Sequence, residues 1–170
     1  MILEEPAMAV DSGQFRSVMG RFATGVTVVT TCQGGERVGI TVNAFCSVSL
    51  DPPLVLVCIE RTSRIHDVLL QSGVFAVNFL AKQQEELSAC FAGNSERRYR
   101  DFCGATSHAA VTGAPILDGC IGYVDCRIVE SYPGGDHTIM LGRVEALGQS
   151  EGEPLLYYRS RYHHPHENAR

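Results

Sequence analysis

Residues 39–59 constrain the fold more than any other part of the sequence. They place a polar, interrupted segment between two apolar runs, the second of which is residues 54–59. The interruption holds small and hydroxyl side chains, one amide and a Pro-Pro pair: Thr41, Asn43, Ala44, Ser47, Ser49, Pro52 and Pro53. Two strands joined by such a segment leave backbone N–H and C=O groups free where strand pairing is broken. A flat, hydrogen-bonding ring could bind there, although the same residues also suit an ordinary β-turn-β unit.

The length and charge of the chain limit the kinds of protein that it can be. The 170 residues suit one domain that buries about two-thirds of its unfolded surface. Its 14 Lys and Arg against 19 Asp and Glu give a formal net charge of −5, which argues against nucleic-acid binding because that function needs clustered cations. The N-terminus lacks a cationic region followed by an apolar one, and no apolar run reaches membrane-spanning length. We therefore expect a soluble, cytoplasmic protein.

The cysteines and histidines give no sign of a metal centre. The seven cysteines are scattered and never form a Cys-x-x-Cys pair, so neither a disulfide framework nor a zinc ribbon is indicated. We expect them to be small core residues in a reducing compartment. His163, His164 and His166 lie close together, but a metal site would need further ligands on structured elements. We predict a polar C-terminus and no metal site.

Hydrophobic periodicity predicts a mostly β protein with a few short helices. Helical spacing predicts helices over residues 12–23, from Thr62 or Ser63 to Gly73, and over residues 83–91. β-branched and alternating runs predict strands over residues 26–31, 37–42, 54–59, 74–80, 119–132 and 137–147. The simplest architecture is one mostly antiparallel β-barrel decorated by short helices. We assign residues 12–162 to one domain and expect residues 1–11 and 163–170 to be flexible termini.

Two basic segments are candidate phosphate sites. Ser63 and Arg64 begin a predicted helix, where free N–H groups, the helix dipole and a guanidinium favour an anion; an ordinary N-cap with a solvated arginine would give the same sequence. Residues 94–118 are predicted to be irregular. Their cationic cluster could contact the phosphates of a second ligand or form a solvated loop face, and it comprises Arg97, Arg98 and Arg100.

Five motifs occur in one order along the chain, at residues 15–30, 39–45, 47–53, 75–78 and 135–144. In that order and spacing the sequence resembles the flavin reductase family of two-component monooxygenases, from about residue 12 to Tyr162. The resemblance implies an FMN-binding split β-barrel of Greek-key type, usually a homodimer. It also implies an enzyme that binds FMN or FAD and oxidises NADH or NADPH. The reduced flavin would pass to a flavin-dependent monooxygenase.

The resemblance also assigns site residues by position. The residues expected to line the flavin are Thr41, Val42, Asn43, Ala44, Phe45, Cys46 and Ser47. Ser63 and Arg64 would meet its phosphate. His137, which follows Gly135 and Asp136, would lie where the nicotinamide stacks, although a strand-end histidine that caps a turn would give the same sequence.

One of these positions departs from the family pattern. Many relatives carry a hydroxyl residue where this chain has Cys46. A thiol is a weaker hydrogen-bond partner than a hydroxyl, so a side-chain contact to the flavin would be weakened there. A backbone contact would survive.

Three alternatives to a flavin reductase of this kind stay open at the level of the sequence. One is a reductase that passes electrons to ferric chelates or another acceptor, and a second is a flavin-binding electron carrier without pyridine nucleotide turnover. The third is a structural β-barrel without a cofactor. No Gly-x-Gly-x-x-Gly follows a predicted strand, so we expect the nicotinamide to bind directly over the flavin and not at a separate Rossmann site.

Overall fold

The computed structural model describes residues 10–93 and 95–165. The helices are α1 (Ser12–Met19), α2 (Arg64–Ser72), α3 (Glu85–Ala92) and α4 (Arg97–Arg100), with 3-10 helices at Lys82–Gln84 and Phe102–Gly104. The strands are β1 (Thr24–Gly25), β2 (Thr27–Gln33), β3 (Glu36–Val42), β4 (Phe45–Leu50), β5 (Pro53–Glu60), β6 (Val74–Phe79), β7 (Ser107–Ala109), β8 (Pro115–Leu117), β9 (Gly122–Gly134), β10 (His137–Gln149), β11 (Leu156–Tyr158) and β12 (Arg161–His163). The prediction of a mostly β protein with a few short helices is confirmed.

Seven strands form one antiparallel sheet in the order β3-β2-β6-β9-β10-β5-β4. Its two edge strands, β3 and β4, are separated in sequence only by Asn43 and Ala44. The sheet must therefore curl until its edges approach each other. Register shifts in β4 and β10 help it to bend, because an extra residue in one strand increases the local twist. The result is the predicted split β-barrel, with its seam between β3 and β4.

The inside of the barrel is a continuous apolar core that α2 closes at one end. Fully buried residues from five strands meet there, among them Val29, Val57, Phe75, Cys126 and Met140. Two residues of α2 join the same cluster, Ile65 and Leu69. Gly142 on β10 is required by this packing, since a Cβ there would collide with the Phe75 ring. The core thus fixes where α2 begins, which matters for the site described below.

Two polar residues inside the fold are structural. The Asn78 amide nitrogen donates to the Val28 carbonyl (3.0 Å), and its oxygen accepts from the Leu117 backbone N–H (2.8 Å). The buried Asp125 carboxylate accepts backbone N–H groups of Val111 and Thr112, both at 2.8 Å. These bonds satisfy buried groups that would otherwise be costly. They also hold residues 107–117 against the sheet.

Some sequence predictions are corrected by the structure. The first helix ends at Met19 and not at residue 23, with Gly20 as its C-cap. Residues 94–118 are not irregular, because they contain α4, a 3-10 helix, β7 and β8. The C-terminal segment forms the β11–β12 hairpin, which pairs with β1. The prediction of flexible termini falls mostly outside the described residues; within them, Asp11 caps α1 by accepting the Gln14 N–H (2.9 Å).

Cys90 on α3 and Cys103 form a disulfide, with their Cα atoms 6.1 Å apart. The expectation that the cysteines are all unpaired is wrong for these two residues. Their separation of 13 residues gives no hint that α3 and the following 3-10 helix fold onto each other. The remaining cysteines are free, and burial raises the pKa of Cys58 and Cys120 and raises that of Cys126 to about 12. Burial therefore keeps those three as neutral thiols.

Candidate functional site

The predicted ring-binding segment lies at the seam of the barrel and is attached to β5. The Ala44 carbonyl accepts the Cys58 backbone N–H (3.0 Å), and Phe45 and Cys46 pair with Val57 and Leu56. Since β4 is the edge of the sheet, one row of its backbone groups has no partner strand. The free backbone groups that the sequence predicted at this break are therefore available along β4.

The side chains of this segment have different roles. The Thr41 hydroxyl donates to the Ser88 carbonyl (2.8 Å), and the Val42 carbonyl accepts from a β2 threonine. Phe45 packs against the core, with its ring centroid 5.4 Å from that of Phe79. Cys46 and Ser47 are exposed. Backbone groups and the exposed residues of this segment, more than the Thr41 hydroxyl, are thus free to meet a ligand.

Asn43 lies where two clefts adjoin. The first is also lined by Thr41, Tyr157 and Tyr162, whose two tyrosine rings are 5.5 Å apart, and the second extends to Thr24 and Phe45. The Tyr162 hydroxyl is bonded to Ser88 (2.9 Å), which fixes one wall of the first cleft. No motif in the sequence predicted that these two tyrosines would lie near Asn43. They come from the β11–β12 hairpin, whose position depends on pairing with β1.

Ser63 and Arg64 begin α2 as predicted, but Ser63 does not act as an ordinary cap. Its side chain makes no capping hydrogen bond, and its hydroxyl is buried without any hydrogen-bond partner. A serine at an N-cap normally satisfies a backbone N–H of the first turn. A buried hydroxyl without a partner costs about 1–3 kcal/mol. The start of α2 therefore has the unmet hydrogen-bonding capacity of a binding site.

Helix α4 supplies a second wall to this site, which the sequence did not predict. The guanidinium carbons of Arg64 and Arg98 lie 4.1 Å and 4.6 Å from the centroid of the Tyr99 ring. The Tyr99 hydroxyl and Arg98 Nε are also buried and have no hydrogen-bond partner among the described residues. In the described part of the chain, three of the four such atoms thus belong to Ser63, Arg98 and Tyr99. We call these three residues with Arg64 the α2–α4 site.

The interpretation of Arg97, Arg98 and Arg100 as a solvated loop face is wrong for Arg98. That residue is buried, and its Nη1 donates to the Phe91 carbonyl (3.3 Å). Arg97 and Arg100 are exposed and pair with Asp101. A buried guanidinium with an unsatisfied donor, beside a second guanidinium, favours an anion such as a phosphate.

His137 is the first residue of β10 and pairs in register with Glu60 of β5. Its Nδ1 lies 2.7 Å from an Asp136 carboxylate oxygen. The hydrogen bond from His137 lowers the pKa of Asp136, and the positive charges of His137 and Arg16 act in the same direction. The Asp136 carbonyl accepts the Arg61 N–H (3.0 Å), which ties this turn to the chain leading into α2. Asp136 therefore orients an imidazole whose other nitrogen is left for a ligand.

The three predicted parts of the site follow one another along β5. Ala44 is bonded to Cys58, His137 lies opposite Glu60, and Ser63 begins α2 three residues later. Five residues of chain span at most about 17 Å. The fold thus places the seam, the histidine and the α2–α4 site side by side, as one elongated cofactor would need.

A comparison with known proteins identifies the family of the chain. A family model described as "Flavin reductase like domain" matches residues 19–166. The chain belongs to this family.

Relatives of this flavin reductase-like chain include proteins of stated activity. The reductase subunit HsaB of a flavin-dependent monooxygenase from Rhodococcus jostii (strain RHA1) is 40% identical over 157 residues, covering 92% of this chain and 79% of the relative. An NADH-dependent flavin reductase from Rhodococcus sp is 42% identical over 146 residues, covering 84% of this chain and 80% of the relative. The solved structure of a Streptomyces globisporus NADH:FAD oxidoreductase with NAD and FAD fragments has a TM-score of 0.86 and 37% identity, covering 96% of this chain and all of that one.

The remaining candidate features from the sequence are the C-terminal histidines. Within residues 10–93 and 95–165, no three His, Cys, Asp or Glu side chains are grouped so that they could hold a metal ion. His163 lies 3.2 Å from the Tyr158 carbonyl and His164 pairs with Glu85, while His166 is outside the described residues. No helix in the described ranges is long and apolar enough to span a membrane.

Proposed function

We propose that this protein is an NAD(P)H:flavin oxidoreductase. It transfers hydride from NADH or NADPH to FMN or FAD and supplies the reduced flavin to a flavin-dependent monooxygenase. The observation that carries the proposal is the α2–α4 site, with its buried unsatisfied donors, next to the turn that holds His137. An elongated cofactor with a phosphate at one end and a flat ring at the other suits this arrangement.

The phosphate of the flavin suits the α2–α4 site. The hydroxyls of Ser63 and Tyr99 and Nε of Arg98 are donors that lack acceptors. The first N–H groups of a helix also lack intrahelical partners, and the helix dipole favours negative charge there. Arg64 adds a second guanidinium. A bound phosphate would accept these donors and remove the cost of leaving them unpaired.

The ring of the flavin suits the seam. Backbone groups on the free edge of β4 can meet the alternating donors and acceptors along one side of an isoalloxazine, and Asn43 and Ala44 lie where the strands part. A bound flavin would supply the redox chemistry. Backbone N–H groups near residues 44–47 would hold the ring and stabilise negative charge that develops on it.

The contribution of His137 is to position the nicotinamide. Hydride transfer needs its two reacting atoms within about 3–3.5 Å, and little acid–base chemistry from the protein. Asp136 holds Nδ1 of the imidazole, so Nε2 can contact the nicotinamide or a nearby phosphate. The fixed register with Glu60 keeps the imidazole at the end of β10 beside the start of α2.

A steady-state assay tests this function. Oxidation of NADH and of NADPH is measured in air with and without added riboflavin, FMN or FAD. Turnover that rises with free flavin supports a reductase that treats flavin as a substrate. Flavin binding without nucleotide oxidation would contradict the proposal and indicate an electron carrier. Anaerobic turnover with a ferric chelate, but without release of reduced flavin, would instead support the ferric reductase alternative.

We also propose that the protein is a cytoplasmic homodimer. No residue of α1 is buried, and Phe15, Val18 and Met19 on this helix, like Phe22 just after it, are all more than half exposed. A helix of eight residues is too short to be stable without a packing surface. A second copy of the chain would provide one. Sedimentation of the wild type against Phe15→Asp tests this, because a dimer held by α1 should dissociate in the variant.

A further inference from the structure

A second cationic groove lies outside the α2–α4 site. It runs between α1 and the turn that joins β11 to β12, and it is lined by Arg16, Ser17, Gly20, Arg21, Arg159 and Ser160. The Arg159 backbone N–H donates to the Gly20 carbonyl (2.8 Å), and this hydrogen bond joins the end of α1 to the β11–β12 turn. We call this the arginine groove.

The arginine groove concentrates positive charge in an acidic protein. Its three guanidinium side chains belong to exposed residues, and within the described ranges none of them forms an ion pair with a carboxylate. The guanidinium carbon of Arg159 lies 5.3 Å from the centroid of the Tyr158 ring. The other walls are glycine and serine, which leave room for a ligand and offer hydroxyl donors. Like charges that are brought together without an ion-paired carboxylate repel one another, so this arrangement favours a multiply charged anion.

The arginine groove lies within electrostatic range of the turn that holds His137, the proposed nicotinamide position. The hydrogen bond from His137 is the main cause of the lowered pKa of Asp136, and the charge of Arg16 adds to it in the same direction. A nicotinamide held at His137 would thus place the rest of its dinucleotide within range of α1. The chain has no Gly-x-Gly-x-x-Gly segment to bind a diphosphate in the usual way, so another set of donors must do so.

We propose that the arginine groove binds the diphosphate of a dinucleotide. The ADP part is common to NADH and FAD, and both present two adjacent phosphates to arginines that can bind them bidentately. This inference rests on the proposed function, since it assumes that a dinucleotide reacts at the seam. It adds a site for the end of the ligand that does not react.

The test compares ligands that carry the ADP part of a dinucleotide with ligands that lack its adenosine and its diphosphate. We use Arg16→Ala and Arg159→Gly, with Arg127→Ala on the exposed part of β9 as the matched control. Glycine suits position 159 because its φ is 49°. Initial rates are measured with NADH and with dihydronicotinamide riboside, which lacks both phosphates, and then with FAD and FMN as acceptors.

If the groove binds the nucleotide diphosphate, each variant should raise KM for NADH about fivefold or more while kcat changes little. KM for dihydronicotinamide riboside should stay within about twofold, which also shows that the variants are folded. If the variants instead raise KM for FAD and not for FMN, the diphosphate bound in the groove is that of FAD, and the groove is equally supported. The inference is overturned if KM changes equally for NADH and dihydronicotinamide riboside and equally for FAD and FMN, or if no KM changes. Failure of the wild type with every donor would instead contradict the proposed function.

Discussion

The Tyr99→Phe substitution should stabilise the flavin-free protein. It removes one hydroxyl that is buried without a partner and keeps the ring beside Arg64 and Arg98. Because an unpaired buried hydroxyl costs about 1–3 kcal/mol, we expect a gain in the free energy of unfolding of about 1 kcal/mol. For a chain of this size that gain corresponds to a rise of about 2–4 °C in the unfolding midpoint. Most substitutions of buried residues act in the opposite direction.

The same substitution should weaken FMN binding. If FMN binds as proposed, the Tyr99 hydroxyl would donate to a charged phosphate oxygen, an interaction worth about 1.5–3 kcal/mol. Its loss should raise the FMN dissociation constant by about 10- to 100-fold. Riboflavin has no phosphate, so its affinity should not change. The prediction thus combines higher stability with lower affinity for one ligand of a closely matched pair.

Two measurements check it. Thermal unfolding followed by circular dichroism without flavin gives the stability, and flavin fluorescence titrations with FMN and riboflavin give the affinities. Tyr132→Phe serves as the control, because the Tyr132 side chain lies on β9 and is 49% exposed. A loss of stability in Tyr99→Phe with unchanged FMN affinity would show that the hydroxyl has a structural partner, and would refute the reasoning.

Three further predictions concern Arg64, His137 and the disulfide. Arg64→Ala should weaken FMN about tenfold and riboflavin little, since it removes a guanidinium from the phosphate site; the exposed Arg100→Ala is its control, and equal losses for both flavins would remove Arg64 from that site. His137→Ala should raise KM for NADH and leave flavin affinity unchanged, whereas unaltered NADH kinetics would make the histidine structural. Thiol titration of the denatured chain should find five free thiols, and seven after reduction; seven without reductant would contradict the Cys90–Cys103 pair.

Local sequence signals predicted the long strands and the first hairpin. Gly34 and Gly35 have φ values of 59° and 86°, which the turn between β2 and β3 requires and which glycine adopts without strain. Elements that depend on distant contacts were missed. Helix α4 has only four residues, too few to show a helical pattern. The β11–β12 hairpin, near the C-terminus, depends on pairing with β1, near the N-terminus. Neither has a hydrophobic period that could be recognised from its own residues.

In the candidate site, too, the residues in local motifs were predicted and those that depend on distant contacts were not. The seam, Ser63, Arg64 and His137 were predicted from motifs that follow one another in sequence, and the fold brings them together along β5. Tyr99 could not be predicted, because its role depends on stacking against an arginine 35 positions earlier in the chain. For Arg98 the sequence left open a phosphate contact or a solvated face, and the second alternative rested on the usual exposure of charged residues. Only its burial and its unpaired Nε reveal otherwise.

The seam of the barrel bears on how a cofactor can leave. In the described sheet, β3 and β4 are edges that no ladder joins, so separating them breaks no backbone hydrogen bonds between strands. A closed barrel would have to lose part of a ladder to open by the same distance. An enzyme that releases its flavin in every cycle needs a boundary that opens at low cost and closes again without refolding. The missing ladder makes the seam such a boundary, and amide protons along it should exchange with solvent faster than those of β9 and β10, and should slow when flavin binds.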